Sequence, residues 1–185
     1  YMFVTVFIAI LNTSTGELLF SNAGHNPSFI INNKKEITKL TKIHGPVVGA
    51  MENMTYTESR KNIQKDDIIL AYTDGVTEAQ NKAEELYSEP RFIELLENEQ
   101  YNSPKTLTNL IIESVKTFED GAEQFDDITV LALQYTSSPS AGESKNIAVE
   151  IKNELKEMKI LTGKFEKFGE INNIPMPIIQ KCNVV

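Results

Sequence analysis

Two short segments place carboxylates where chemistry could be done. Tyr72-Thr73-Asp74-Gly75-Val76-Thr77-Glu78-Ala79 and Asp126-Asp127-Ile128-Thr129 each set an Asp at the border between an apolar run and a polar loop. Carboxylates at the ends of strands in one sheet can hold Mg²⁺ or Mn²⁺, which prefer oxygen ligands and retain part of their water. A plainer reading stands beside it. Asp-Gly is a common turn dipeptide, and an Asp before a strand often bonds loop N–H groups. Residue types alone leave both open. His25, in Asn22-Ala23-Gly24-His25-Asn26-Pro27, has the chemistry of a general acid, yet His25 and Asn26 could equally hydrogen-bond the loop backbone between two strands. His44 sits in an irregular polar stretch and reads as an exposed loop residue. Glu78 could orient a bound water, or simply favour the start of a helix through its dipole.

The elements that must position these residues follow from hydropathy patterning. Met2–Asn12 is apolar on both faces, which predicts a buried central strand. After the turn at Thr13–Gly16, Glu17–Asn22 reads as the returning hairpin strand. Ser28–Ile31 and Glu36–Leu40 predict a second hairpin, and Tyr56–Lys61 with Ile68–Thr73 a third strand pair joined through Lys65-Asp66-Asp67. Glu89-Pro90-Arg91 opens a short helix. Ser103-Pro104 is an N-cap with Pro at the first helical position, and Leu107, Leu110, Ile111, Val115 and Phe118 make one stripe. Ile128–Tyr135 is a last apolar strand. Strands, two helices and a returning strand predict an α+β fold with antiparallel sheet, not the strict alternation of a doubly wound one.

Composition narrows the function. The 185 residues carry 18 Lys+Arg against 26 Asp+Glu, a formal net charge of −8. This argues against a nucleic-acid surface, which needs clustered Lys and Arg. The longest apolar run, Phe3–Leu11, is far short of the roughly 20 residues of a membrane span, so no membrane partner is expected. The lone cysteine, Cys182, excludes a disulfide framework and a Cys-based zinc site, and fits a cytoplasmic protein. Residues 137–145, rich in Ser with Pro and Gly, read as a linker between a body at 1–136 and a tail at 146–185. In the tail, Leu155, Met158, Leu161, Phe165 and Phe168 form an amphipathic helical stripe, expected either to pack on the body or to support a homodimer. The immediate apolar run after Tyr1 reads as an internal starting point of a longer chain.

The ordered landmarks Asn22–Pro27, Gly49, Tyr72–Ala79 and Asp126–Thr129 resemble those of the bacterial metal-dependent serine/threonine phosphatases of the RsbU and sporulation stage II E type, relatives of protein phosphatase 2C. The resemblance covers about residues 2–136. It implies two stacked antiparallel sheets flanked by helices, present here as an incomplete, C-terminal half. It also implies two Mn²⁺ or Mg²⁺ ions in the complete domain, with Asp74 and Asp126 as ligands on one ion and Asp127 as a supporting residue. In the family a metal-activated water attacks phosphorus in line, so no nucleophilic side chain is required. The substrate it implies is a phosphorylated anti-sigma-factor antagonist protein. The family's upstream Gly-Asp motif, whose Asp bridges both metals, has no match within 1–136. A non-catalytic interaction module or pseudophosphatase of the same pathway is therefore the alternative. The tail resembles the opening of an RsbW-type anti-sigma kinase of the GHKL superfamily.

Overall fold

The computed structural model describes residues 3–124 and 126–136. The linker at 137–145 and the kinase-like or packing tail at 146–185 lie outside the described residues. In chain order the strands are β1 (Val6–Leu11), β2 (Glu17–Ala23), β3 (Phe29–Ile31), β4 (Ile37–Lys39), β5 (Ser59–Asn62), β6 (Ile68–Tyr72) and β7 (Val130–Gln134). The two α-helices, α1 (Glu89–Asn98) and α2 (Pro104–Glu119), fall between β6 and β7. One antiparallel sheet has the order β1-β2-β5 and the other β4-β3-β6-β7.

Alternation along two central strands explains how the layers stack. Ile30 of β3 and Ile69 of β6 face the first sheet, meeting Leu18, Phe20, Ile63 and Tyr135 in an inter-sheet core. Their neighbours Phe29, Ile31, Ile68, Leu70 and Tyr72 point the other way, against Phe92 and Leu96 of α1 and Leu107, Ile111 and Val115 of α2. Successive side chains on a strand alternate faces, so a strand buried on both sides reads as an unbroken apolar run. The layers are sheet, sheet and helices, the expected α+β arrangement of stacked antiparallel sheets. The second helix starts as its sequence dictates. Ser103 Oγ accepts from the Thr106 N–H, Thr106 Oγ1 accepts from the Ser103 N–H, and Pro104 occupies the first turn. This capping box satisfies two N–H groups that the helix itself cannot.

Two expectations need correction. The segments predicted as a third strand pair belong to different sheets: β5 pairs with β2, and β6 with β3 and β7. The polar stretch between them is a crossover. Ile63 is fully buried, the Asp67 carboxylate accepts from the Gln64 N–H at 2.8 Å, and the Asp66 N–H and Asp67 C=O both bond Tyr135. A turn-rich tripeptide cannot distinguish a hairpin from a step between sheets, because both need the same local reversal. The first strand is also not central. Among the described residues it pairs only with β2, and Val6, Ile8 and Ile10 are half-buried. Its double-sided apolar character therefore leaves one face only partly covered. No described helix is long and apolar enough to cross a membrane.

Candidate metal centre

The carboxylate of Asp74 is presented by a strand that ends in well-packed aromatics. Tyr72, the last residue of β6, stacks on Phe29 at 5.6 Å and meets Phe92 edge-on at 4.8 Å. Burial, helped by the Glu89 carboxylate, pushes its hydroxyl up to about 12, so Tyr72 serves as packing and not as an acid. The chain then makes a single 3-10 turn over Asp74–Val76. The Val76 N–H bonds Thr73 O at 3.1 Å, and the Glu78 N–H bonds Asp74 O at 2.8 Å. Val76 is fully buried and anchors the turn, while the Asp74 side chain faces solvent.

The second acidic segment reaches the same place from α2. Val130 of β7 pairs with Tyr72, and beyond the end of the ladder the Thr73 N–H bonds Thr129 O at 3.0 Å. Gly75 is buried here against the backbone of Asp126 and Asp127. A Cβ at position 75 would stand 2.5 Å from Asp127 O and 3.3 Å from Asp126 O. The Gly75 requirement is thus one of space beside a carbonyl. Asp126 Oδ1 accepts from the Asp127 N–H at 2.7 Å, and the Gln124 side-chain amide donates to Asp126 O. The structure brings the Asp74-Gly75 turn and the Asp126-Asp127 loop into direct backbone contact, with both Asp74 and Asp126 exposed.

This donor set fits an oxygen-loving divalent ion in part. Two solvent-facing carboxylates suit an ion that keeps several waters. Among the described residues, however, no three His, Cys, Asp or Glu side chains are grouped to hold a metal.

The Gly24–Pro27 loop is fixed by local bonds. The fully buried Asn22 accepts from the His25 N–H at 2.8 Å and donates to His25 O at 2.9 Å. His25 Nδ1 lies 3.0 Å from Asn26 O, so the backbone-bonding reading of this histidine describes its contacts. The expectation for His44 is wrong. This side chain is 4 % exposed, and its Nδ1 accepts from the Asn22 N–H at 3.0 Å. Its Nε2 lies 2.8 Å from Ser59 Oγ, and its ring stands edge-on to Phe20. No periodicity marks a single buried residue in an irregular segment, which is why the sequence pattern missed it.

Burial, and secondarily the Lys42 charge, lowers the His44 pKa below 6.5. The unfolded chain therefore binds a proton at this position before the folded one does. Stability is full above pH ~6.5 and is expected to fall as pH drops below that value, levelling once the folded residue also protonates. The urea midpoint should be lower at pH 5.5 than at pH 7.5, with His44→Asn reducing the difference. An identical pH response in that variant would contradict the assignment.

With this geometry in place, comparison with known proteins is decisive at the level of family. Residues 1–136 match the family described as Stage II sporulation protein E (SpoIIE). The chain belongs to the SpoIIE family. It is 36% identical over 132 residues to Protein IcfG of Synechocystis sp., covering 71% of this chain and 20% of that protein. It is 27% identical over 133 residues to the phosphoserine phosphatase RsbU of Bacillus subtilis, covering 72% of this chain and 39% of RsbU. The chain thus spans well under half the length of both relatives. The fold is similar to that of the manganese-presoaked SpoIIE phosphatase domain of B. subtilis, with a TM-score of 0.55 at 17% identity over 76% of this chain and 59% of that one. Membership in the SpoIIE family agrees with the resemblance carried by the ordered motifs, and the structural likeness agrees with the stacked-sheet fold.

Proposed function

We propose that this chain is the metal-binding C-terminal half, at 1–136, of a phosphoserine/phosphothreonine protein phosphatase acting in bacterial sigma-factor regulation. The observation that supports the reading is the close approach of the Gly75 and Asp126-Asp127 backbones, which brings the turn carrying Asp74 against the loop carrying Asp126. Family membership and the kinship with a phosphoserine phosphatase support it. Bound divalent ions supply Lewis acidity and an activated water for attack on phosphorus. The chain's own residues hold Asp74 at the head of a buried strand, hold Asp126 on the facing loop, and leave both open to an incoming phosphoprotein. Mn²⁺ is expected to bind more tightly than Mg²⁺, which gives up water reluctantly and demands near-octahedral geometry. The substrate proposed is a phosphorylated anti-sigma-factor antagonist, met in the cytoplasm.

The test is phosphate release from a phosphoserine-bearing antagonist protein by the full-length protein that carries this chain, with Mn²⁺ and with chelator. Metal-dependent release that vanishes in Asp74→Asn supports the reading; no release with any divalent ion sinks it. One observation favours the alternative of a non-catalytic binding module: among the described residues no group of three or more His, Cys, Asp or Glu side chains is placed to hold a metal ion. Retained binding of the phosphoprotein by an inactive full-length protein would identify that case.

Self-association is also proposed. The outer edges of β1 and β7 are unpaired among the described residues, and Leu131 and Leu133 of β7 are 45% and 41% exposed. Exposed apolar residues on an unpaired edge template pairing with another chain. Sedimentation of the chain should show a dimer or larger species, and a clean monomer at high concentration would contradict this.

A further inference from the structure

The strongest unassigned feature of the site is a hydroxyl. Thr73 Oγ1 donates to Asp127 O at 2.8 Å and accepts from the Thr129 N–H at 2.9 Å, while the Thr73 N–H bonds Thr129 O at 3.0 Å. Three bonds from one residue tie the end of β6 to the segment leading into β7. They lie just past Tyr72–Val130, the last pair of the ladder, where an antiparallel pair would otherwise diverge.

The position has a consequence on each side. Thr73 immediately precedes Asp74, and its carbonyl accepts from the Val76 N–H to close the 3-10 turn. Its hydroxyl holds the carbonyl of Asp127, the same oxygen that stands closest to Gly75. The Asp127 N–H is in turn held by the Asp126 carboxylate. One side chain thereby connects the backbone carrying Asp74 with the peptide unit beside Asp126. Both carboxylates are solvent-facing, so neither is located by packing of its own. Their spacing then depends on how the two backbone segments that carry them are held together. A hydroxyl is required because one atom must donate to a carbonyl and accept from an amide at once, which an apolar group of the same shape cannot do.

We infer that Thr73 is a positioning residue for metal binding: its hydroxyl sets the spacing between Asp74 and Asp126 by clamping the Asp127 carbonyl and the Thr129 amide. The inference rests on the reading of Asp74 and Asp126 as metal ligands. Residues that orient ligands without touching the ion typically change metal affinity by about 10–100-fold when altered.

The test uses the whole chain and Mn²⁺ alone, with free ion counted by electron paramagnetic resonance. Thr73→Val keeps the branched shape and loses the hydroxyl; Thr73→Ser keeps the hydroxyl. Thr73→Val should weaken Mn²⁺ binding by about 10–100-fold, and Thr73→Ser should bind within a few-fold of the native chain. Independently of metal, amide exchange at Thr129 should accelerate in Thr73→Val and stay slow in Thr73→Ser. Native Mn²⁺ affinity in Thr73→Val, with or without a loss of stability, would overturn the inference and leave a purely structural residue. Equal weakening in both variants would overturn it too, since the hydroxyl would not be the cause. Asp74→Asn is measured alongside. If it binds Mn²⁺ like the native chain, or if the native chain binds none, the ligand reading itself has failed and takes this inference with it.

Discussion

Gly75→Ala is expected to cost stability and metal affinity together. The new methyl group would lie 2.5 Å from Asp127 O and 2.9 Å from Asp127 C, both backbone atoms that no rotamer change can move aside. Overpacking of this kind costs about 1–3 kcal/mol, and the upper part of that range applies where the obstacle is main chain. Relief requires the Asp126-Asp127 loop to retreat from the Asp74 turn. That movement lengthens the Thr73 bonds to Asp127 O and the Thr129 N–H. Urea unfolding of Gly75→Ala should therefore show an unfolding free energy lowered by about 2–3 kcal/mol, and Mn²⁺ titration an affinity lowered by at least about tenfold. Native stability and native affinity in this variant would mean that the two segments are not held as closely as their contact indicates.

The second large effect is expected at the carboxylates themselves. Asp74→Asn preserves the size of the side chain and the turn hydrogen bonds, which use Asp74 backbone oxygen and not its carboxylate. What it removes is a full negative charge and, on the proposed reading, one of the two anionic ligands of the site. The loss should exceed the roughly 100-fold upper range for residues that only support ligands, which would take binding below detection in a site this small. The unfolding midpoint should move little, since an exposed side chain away from core, caps and networks changes stability by about 0.5 kcal/mol or less. A large stability loss with unchanged Mn²⁺ affinity would mark Asp74 as a turn residue only.

How much of this was legible in the sequence depended on whether a signal was periodic. The hairpins β1–β2 and β3–β4 followed from short apolar runs separated by turn residues, and the stripe of α2 from 3- to 4-residue spacing, because burial on one face of a helix imposes that period. The partner of a strand is not encoded that way. β5 and β6 are adjacent in sequence and separated by a turn, yet the burial of Ile63 and the bonds of Asp66 and Asp67 to Tyr135 send them into different sheets. Ordered motifs singled out Asp74 and Asp126, but the residue types alone could not choose between ligand and turn. His44 and Thr73 were invisible for a common reason. Each works through bonds to backbone groups distant in the chain, His44 to Asn22 and Thr73 to Asp127 and Thr129. Such bonds leave no composition or spacing behind.

The central claim is that Asp74 and Asp126 serve one ion, and a double-mutant cycle in Mn²⁺ affinity tests it most directly. The native chain, Asp74→Asn, Asp126→Asn and the double variant are titrated with Mn²⁺ under one set of conditions. Ligands of a shared ion are strongly non-additive, because removing either destroys the site that the other belongs to. The prediction is that the native chain binds, each single variant loses nearly all of that affinity, and the double variant is no worse than the singles. Native-like binding by either single variant, or losses that simply add, would contradict the claim.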